Sequence, residues 1–329
     1  MTEALSIGVD LGGTKTEAVV LRLGAGAAAR AAGGFEVVTR RRVPTPASEG
    51  YDAVLEASAE LVRGVARETG IDLGATRVGV GMPGSVSRRS GLVKNSNTVC
   101  LNGRPFREDL GRALGRSVSF ENDANCFALA EARLGAAREY QDGVVFGVIL
   151  GTGVGGGVVL NGSLWPGPQN LAGEWGHHAV GPWRRAGAED EAAAGRDFGL
   201  GLSERERCYC GRSGCLELYA SGRAVERDYA RRSGERRALS ELAARRATDP
   251  HARAAIDEML EALGRALGNL IDVLDPSAIV LGGGASNLEL LYTEGIERVR
   301  AYVFNDELIT PIVRHELGDS AGVFGAALL

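Results

Sequence analysis

A strand, a glycine-rich turn and a second strand occur twice in this chain, and that recurrence restricts the possible folds more than any other feature. The first copy covers residues 5–22, where SIGVD leads into LGGTKT and EAVVL follows. The second covers residues 143–160 in the same order: VVFGVIL, GTGVGGG, VVL. Glycine lets backbone N–H groups approach phosphate oxygens closely, because no Cβ stands in the way. Neither copy is a Walker A loop, since the GxxxxGK[ST] spacing is absent and a strand follows the turn where a helix would be required. The same continuation as a strand argues against a dinucleotide-binding GxGxxG in the second copy. The repeat predicts two similar domains facing each other across a cleft, each offering a turn to a polyphosphate.

The rest of the chain alternates strands with helices, which defines an α/β class. Apolar positions in residues 51–69 follow helical spacing, the stretch RVGVGM reads as a short buried strand, and PFREDLGRALG places Phe106, Leu110 and Leu114 on one helical face. SVSFEND is a strand running into the helix ANCFALAEARLG. The longest helix is expected at 251–274, followed by the buried strand AIVLGGG, a helix near 288–303 and a closing strand and helix. Residues 24–35 read as a flexible excursion between strands, and the polar, Ala/Gly-rich residues 178–207 as a long surface insertion.

A chain of 329 residues has room for two such domains. Net charge is −5 with no basic block, so neither nucleic acid nor an anionic membrane surface is the expected partner. No apolar run reaches the roughly 18 residues needed to span a bilayer, and the N-terminal sequence has no signal-peptide pattern, so a cytoplasmic protein is expected. Of five cysteines, three crowd into Cys208, Cys210 and Cys215. In a reducing compartment that crowding favours a metal over disulfides.

Four further patterns carry chemistry. Asp10 ends a strand and precedes Gly12, Gly13, Thr14 and Lys15, so its carboxylate could hold Mg²⁺ through water. Glu121-Asn122-Asp123-Ala124-Asn125 falls where a strand meets a helix. Asp123 there could be a helix N-cap, the commonest structural role for such a residue. Yet the carboxyl end of a strand in an α/β sheet is where ligands bind, and a carboxylate in that place can take the proton of a sugar hydroxyl while Asn122 holds its neighbours. His177 with Cys208, Cys210 and Cys215 supplies four ligands of the kind a closed tetrahedral Zn²⁺ site uses, with His178 as a rival for the histidine position. A metal pinning that loop would also fix Glu174 and Glu217, whose carboxylates could accept hydroxyl hydrogen bonds. Gly282-Gly283-Gly284 after AIVL is a weaker signal that could let a nucleoside lie against the backbone.

Together the motifs VDLGGTKT, GMPGS, ENDAN, LGTGVGGG, GEWGH, CYCGRSGCLE and IVLGGG resemble, in order and over almost the whole chain, the ROK family of repressors, open-reading-frame proteins and kinases. The resemblance implies a two-domain actin/hexokinase-like (ribonuclease H-like) fold. It places a first domain at 1–118, to which 317–329 returns, and a second at 119–316. It implies an ATP-dependent hexose kinase with Asp123 as general base, and Asn97, Asn122, Glu174, His177 and Glu217 holding the sugar. Asp10, Gly12, Gly13, Thr14, Lys15, Thr152 and Gly153 would line the ATP phosphates, and Gly283 the nucleoside. His177, Cys208, Cys210 and Cys215 would bind structural zinc, alongside Mg²⁺ with the nucleotide, and a homodimer is the family expectation. GVGMPGSVS and VKNSNTVCLNGRPF look most like bacterial fructokinases of the mannokinase type, making fructose the expected acceptor, with an N-acetylglucosamine or glucose kinase as the alternative. A sugar-responsive repressor is a further alternative. Such relatives carry an added N-terminal helix-turn-helix, for which a phosphate motif beginning at Asp10 leaves no room. The spacing from His177 to Cys208 is longer than the family usually has.

Overall fold

The structure is a computed structural model that describes residues 4–24, 34–181, 202–203 and 205–329. The strands are β1 (Ala4–Leu11), β2 (Lys15–Leu23), β3 (Phe35–Pro44), β4 (Arg77–Met82), β5 (Ser85–Val86), β6 (Val93–Lys94), β7 (Ser119–Asn122), β8 (Val144–Leu150), β9 (Val154–Leu160), β10 (Ser163–Leu164), β11 (Ala278–Gly282) and β12 (Ile312–Arg314). The helices are α1 (Tyr51–Thr69), α2 (Phe106–Leu114), α3 (Asp123–Arg133), α4 (Glu217–Ala220), α5 (Gly222–Ser233), α6 (Leu239–Arg245), α7 (Pro250–Leu274), α8 (Glu294–Arg300) and α9 (Ala321–Ala327).

One five-stranded sheet has the order β3-β2-β1-β4-β7 and the other the order β10-β9-β8-β11-β12. These orders correspond strand for strand, so the repeated sequence element is repeated topology. In the first sheet β1 pairs antiparallel with β2 and parallel with β4, which pairs parallel with β7. Contacts divide the chain into two compact units. One comprises Met1–Gly147, Gly157–Ala172 and His315–Leu329, and the other Val148–Gly156 and Gly173–Arg314.

In the first unit, alternate residues Ile7, Val9 and Leu11 of β1 are fully buried against α1, which contributes Val54, Leu61, Val62 and Val65. The C-terminal segment packs on β1, β4 and α3. That packing depends on missing side chains. A Cβ on Gly8 would stand 2.1 Å from the Val323 carbonyl oxygen, one on Gly79 2.0 Å from that of Ala326, and one on Gly325 1.8 Å from that of Cys126. Glu131, fully buried on α3, fastens the same segment by accepting the N–H groups of Glu316 (3.1 Å) and Leu317 (2.9 Å) as well as that of Ala136 (2.9 Å). Three backbone donors on one buried carboxylate satisfy groups that would otherwise be costly to bury.

In the second unit α7 is the long helix, capped by Asp249, which accepts the N–H groups of His251 and Ala252, with Pro250 at its first position. The helix expected near 288–303 is shorter and broken. Residues Gly284–Asn287 and Glu289–Leu291 are 3₁₀ turns, and α8 begins only at Glu294. Leu288 is extended between the two turns, and the Tyr292 hydroxyl donates to the Ser286 carbonyl, closing this segment back on itself. Most of the expected excursion at 24–35 lies outside the described residues, but its ends are tied by the Gly24 N–H donating to the Gly34 carbonyl (2.9 Å). Most of the expected insertion at 178–207 also lies outside them. Its described ends are anchored and do not lie loose on the surface: Val180 and Leu202 are buried, and the buried Arg205 guanidinium pairs with Asp228 and with Glu258 (2.6 Å). No helix among the described residues is long and apolar enough to cross a membrane.

Replacing Gly8 or Gly79 by valine is expected to destabilise the protein by about 3 kcal/mol or more, because the obstructing atoms are backbone and cannot rotate away. Urea unfolding checks this; a loss below 1 kcal/mol would show that α9 can withdraw from the sheet at little cost.

Candidate active site

The β1–β2 turn is braced from β3's end. Gly12 N–H donates to the Lys15 carbonyl (3.0 Å), and the Thr45 hydroxyl donates to the Gly12 carbonyl (2.8 Å). The Thr45 proton being engaged there, Thr16 donates across the 2.8 Å contact between their hydroxyls. This leaves Thr14 and Lys15 exposed at the tip, with Gly13 half-buried beside them. Asp10, at the base, is opposite Glu17 in the β1–β2 register and opposite Gly81 in the β1–β4 register. Its carboxyl is pushed up to about 6, first by burial, then by the charges of Asp123 and Glu17, against the opposing charges of Lys15 and Arg42. Asp10 and Asp123, far apart in sequence, are thus brought together. Such a concentration of negative charge suits a divalent cation.

The N-cap of α3 is Asn122 and not Asp123. The Asn122 Oδ1 accepts the Ala124 N–H (2.9 Å), its Nδ2 donates to the Gly84 carbonyl (3.0 Å), and Asp123 is the first residue of the helix. Capping by the neighbour leaves the Asp123 carboxylate at the helix start, where the exposed N–H groups favour negative charge; one of its oxygens also accepts the Ala124 N–H (2.9 Å). Gly84 has φ +88° and backs directly onto the 94–96 backbone. Asn102, which motif reading passed over, pins that loop by accepting the Ser96 N–H and donating to the Ser96 carbonyl, both at 2.9 Å. The result holds exposed Asn97 beside the tip: its Oδ1 would lie 3.6 Å from a Cβ on Gly13. The signal for Asn102 was its position inside VKNSNTVCLNG, where the buried Ser96 backbone needs a paired donor and acceptor.

In the second unit the Gly151–Gly153 turn is closed by the Gly151 N–H donating to the Gly153 carbonyl (3.0 Å), and the Gly222 N–H at the start of α5 donates to the Gly151 carbonyl (2.9 Å). Thr152 is exposed at the tip. Glu217 braces this turn by accepting the Val154 N–H (3.1 Å). GEWGH is fastened to the same strand: the Trp175 indole donates to the Gly155 carbonyl (2.8 Å), and a Cβ on Gly176 would stand 2.2 Å from the Val154 carbonyl oxygen. Glu174 is exposed beside it. A cavity of about 710 Å³ opens at the turn, lined by Gly151, Thr152, Gly222, Arg223, Gly284 and Asn287. Gly283 sets the turn that shapes this wall, with φ +81° and its α-carbon against the Leu150 backbone. A cavity of about 1290 Å³ shares Thr152 with it and adds Gly153, Tyr209 and Glu217.

His177, Cys208, Cys210 and Cys215 present their ligand atoms within 4.8 Å of one another, and His178 is not part of the group. The Cys208 Sγ is 3.6 Å from His177 Nδ1, and the Cys210 and Cys215 sulfurs are 3.6 Å apart. A tetrahedral ion with bonds of about 2.0–2.3 Å separates its ligands by about 3.3–3.8 Å, so these residues fit zinc. The other imidazole nitrogen, Nε2, is 2.9 Å from the Tyr209 hydroxyl. With Nδ1 turned to the sulfurs, Nε2 carries the proton and the phenol oxygen accepts it. The Tyr209 phenol is pushed up to about 12, by burial of its hydroxyl end and then by the charges of Glu217 and Glu174, which places both carboxylates near it.

Each sheet thus carries a braced glycine turn, the first beside a carboxylate pair and the second beside a four-ligand knuckle. The model of the ROK family matches residues 6–329, and the chain belongs to that family. It is 38% identical, over 98% of each chain, to an N-acetyl-D-glucosamine kinase of Vibrio vulnificus. Among solved structures it is similar to a ROK hexokinase from Thermus thermophilus, with a TM-score of 0.80, 34% identity and coverage of 98% of this chain and 97% of that one. It is also similar to a ROK family glucokinase from Streptomyces griseus in complex with glucose and AMPPNP, with a TM-score of 0.70, 27% identity and 98% coverage of both chains. Its fold is the actin/hexokinase-like α/β fold of these proteins.

Between about pH 4 and pH 6 the folded protein retains a proton on Asp10 that the unfolded chain has released. Folding stability contributed by this group therefore falls as pH rises through that window and stays level above it. Asp10→Asn is expected to be more stable than the parent at pH 7.5 by about 2 kcal/mol, with the difference closing toward pH 4. Thermal unfolding of both proteins across that range checks it; a pH-independent difference would remove the burial of an Asp10 charge as its cause.

Proposed function

We propose that the protein is an ATP-dependent hexose kinase whose preferred acceptor is N-acetyl-D-glucosamine. The observation that supports the chemistry most directly is the Asp10–Asp123 pair beside a braced glycine turn, one carboxylate at a strand end and the other at a helix start. The acceptor follows the V. vulnificus relative, which matches nearly end to end. Fructose, expected from local motifs, receives no support from any of these relatives. Glucose is the second reading, favoured by the likeness to the S. griseus glucokinase.

In phosphoryl transfer the protein positions groups and stabilises charge, and performs little covalent chemistry itself. Asp123 accepts the proton of the attacking sugar hydroxyl as the γ-phosphoryl leaves ATP. Asn97, Asn122, Glu174, His177 and Glu217 hold the remaining hydroxyls. Gly12, Gly13, Thr14, Lys15, Thr152 and Gly153 meet the phosphates, while the cavity next to Gly283 receives the nucleoside. Asp10 would hold Mg²⁺, which when bound neutralises phosphate charge. His177, Cys208, Cys210 and Cys215 would hold a structural zinc that fixes the segment running into Glu217. A cytoplasmic homodimer completes the proposal, on family resemblance alone.

Asp123→Asn is expected to keep sugar affinity and lower kcat at least ~10²-fold, the lower range for a positioned base; near-normal turnover would remove Asp123 from that role. Chelating the zinc should lower the melting temperature, because metal-binding free energy is folding free energy in such a site. An unchanged melting curve after verified metal loss would contradict the zinc assignment.

A further inference from the structure

Tyr209 is placed oddly for an aromatic residue. It sits between two cysteines of the knuckle with its ring 80% exposed, yet its hydroxyl turns back to His177 Nε2. The ring meets the imidazole edge-on, with centroids 5.1 Å apart and planes at 80°. A large ring left in water is held by that hydrogen bond and that one ring contact, since it has little packing to lose.

The Nε2–H is a single donor and makes one strong hydrogen bond. In the sugar-kinase reading it is the group that His177 offers to a sugar hydroxyl. The phenol and the sugar therefore require the same proton. Tyr209 also lines the cavity of about 1290 Å³ whose wall includes Glu217, one of the residues proposed to hold the sugar. We propose that Tyr209 is a displaceable cap on His177, its hydroxyl holding Nε2–H in the unliganded protein and giving way to a sugar hydroxyl on binding.

The exchange trades one neutral hydrogen bond for another, and the exposed ring can swing out without opening a core. The cap nevertheless weakens sugar binding by the net worth of the bond that must break, about 3- to 10-fold in Kd. It would also discriminate. A sugar that places a hydroxyl on Nε2 displaces the phenol, whereas one lacking that hydroxyl leaves it in place and binds against a closed position.

The inference rests on the proposed function, and direct binding separates the two. Zinc-loaded full-length protein, parent and Tyr209→Phe, is titrated calorimetrically with N-acetylglucosamine and with glucose in the absence of nucleotide, and the zinc content of each preparation is measured. The substitution keeps the ring and removes only the hydroxyl. The expected result is equal zinc content with hexose binding about 3- to 10-fold tighter in the variant. Unchanged or weaker binding overturns the cap while leaving the kinase reading intact, and loss of zinc makes Tyr209 a support for the metal's histidine and overturns it equally. A parent protein that binds neither hexose removes the kinase reading, and the cap falls with it.

Discussion

The close approach of α9 to the first sheet, backbone against backbone, is the constraint on which the Asp10–Asp123 pair depends. Gly8 and Gly79 let the helix lie on β1 and β4, and Gly325 lets it lie on α3. Those three elements are the ones that carry or flank Asp10 and Asp123. Gly322, on the same helix, has its α-carbon behind Asp10, where a Cβ would stand 3.4 Å from the carboxylate. Burial so close to a second carboxylate disfavours the charged form of Asp10, and the dense packing around it prevents the group from relaxing into water. The fold holds together two negative groups that would separate in a looser structure. In the proposed function, a cation and a phosphate chain bound here would relieve that repulsion.

The second unit solves a different problem. Its glycine turn is braced by Glu217 on one side and the N-terminus of α5 on the other. Glu217 follows Cys215 closely in sequence, so the knuckle, the turn and the Trp175 anchor form one connected body. The Arg205–Asp228–Glu258 ion pairs hold the chain just before the knuckle, with Asp228 also bonded to Arg232 (2.7 Å). A buried carboxylate with several guanidinium partners is costly to break once formed. The long segment between His177 and Cys208 is therefore tied down at its far end despite its length.

The periodic and repeated features of this fold were legible in the sequence. The two strand–turn–strand elements, α1, α7 and the Cys208–Cys215 cluster have short-range signatures, and the structure places them where periodicity and spacing indicate. Asn122 and Asp123 were harder, since either residue type can cap a helix, and only the backbone conformation of Asn122 shows which one does. Residues 288–303 were expected as one helix; the Tyr292 hydroxyl donating to the Ser286 carbonyl closes the segment before α8 into short turns, and such a side-chain-to-backbone bond leaves no periodic trace. Asn102, Glu131 and Tyr209 were missed for the same reason. Each acts through a partner distant in sequence or through a backbone group, and a motif records neither. The acceptor sugar is not legible in the chain, because no spacing in it separates one hexose from another; the relatives favour N-acetylglucosamine over the fructose that local motifs suggested.

The central claim is tested most directly by a competition among acceptors. The protein is given Mg·ATP and an equimolar mixture of N-acetylglucosamine, glucose, mannose and fructose at concentrations below saturation, and the phosphorylated products are separated and identified by mass spectrometry and ³¹P NMR. Under those conditions product ratios report relative kcat/KM. N-acetylglucosamine 6-phosphate is expected as the main product, with glucose 6-phosphate second. Predominant fructose phosphate would contradict the acceptor assignment, and ATP left intact with every sugar present would contradict the kinase itself.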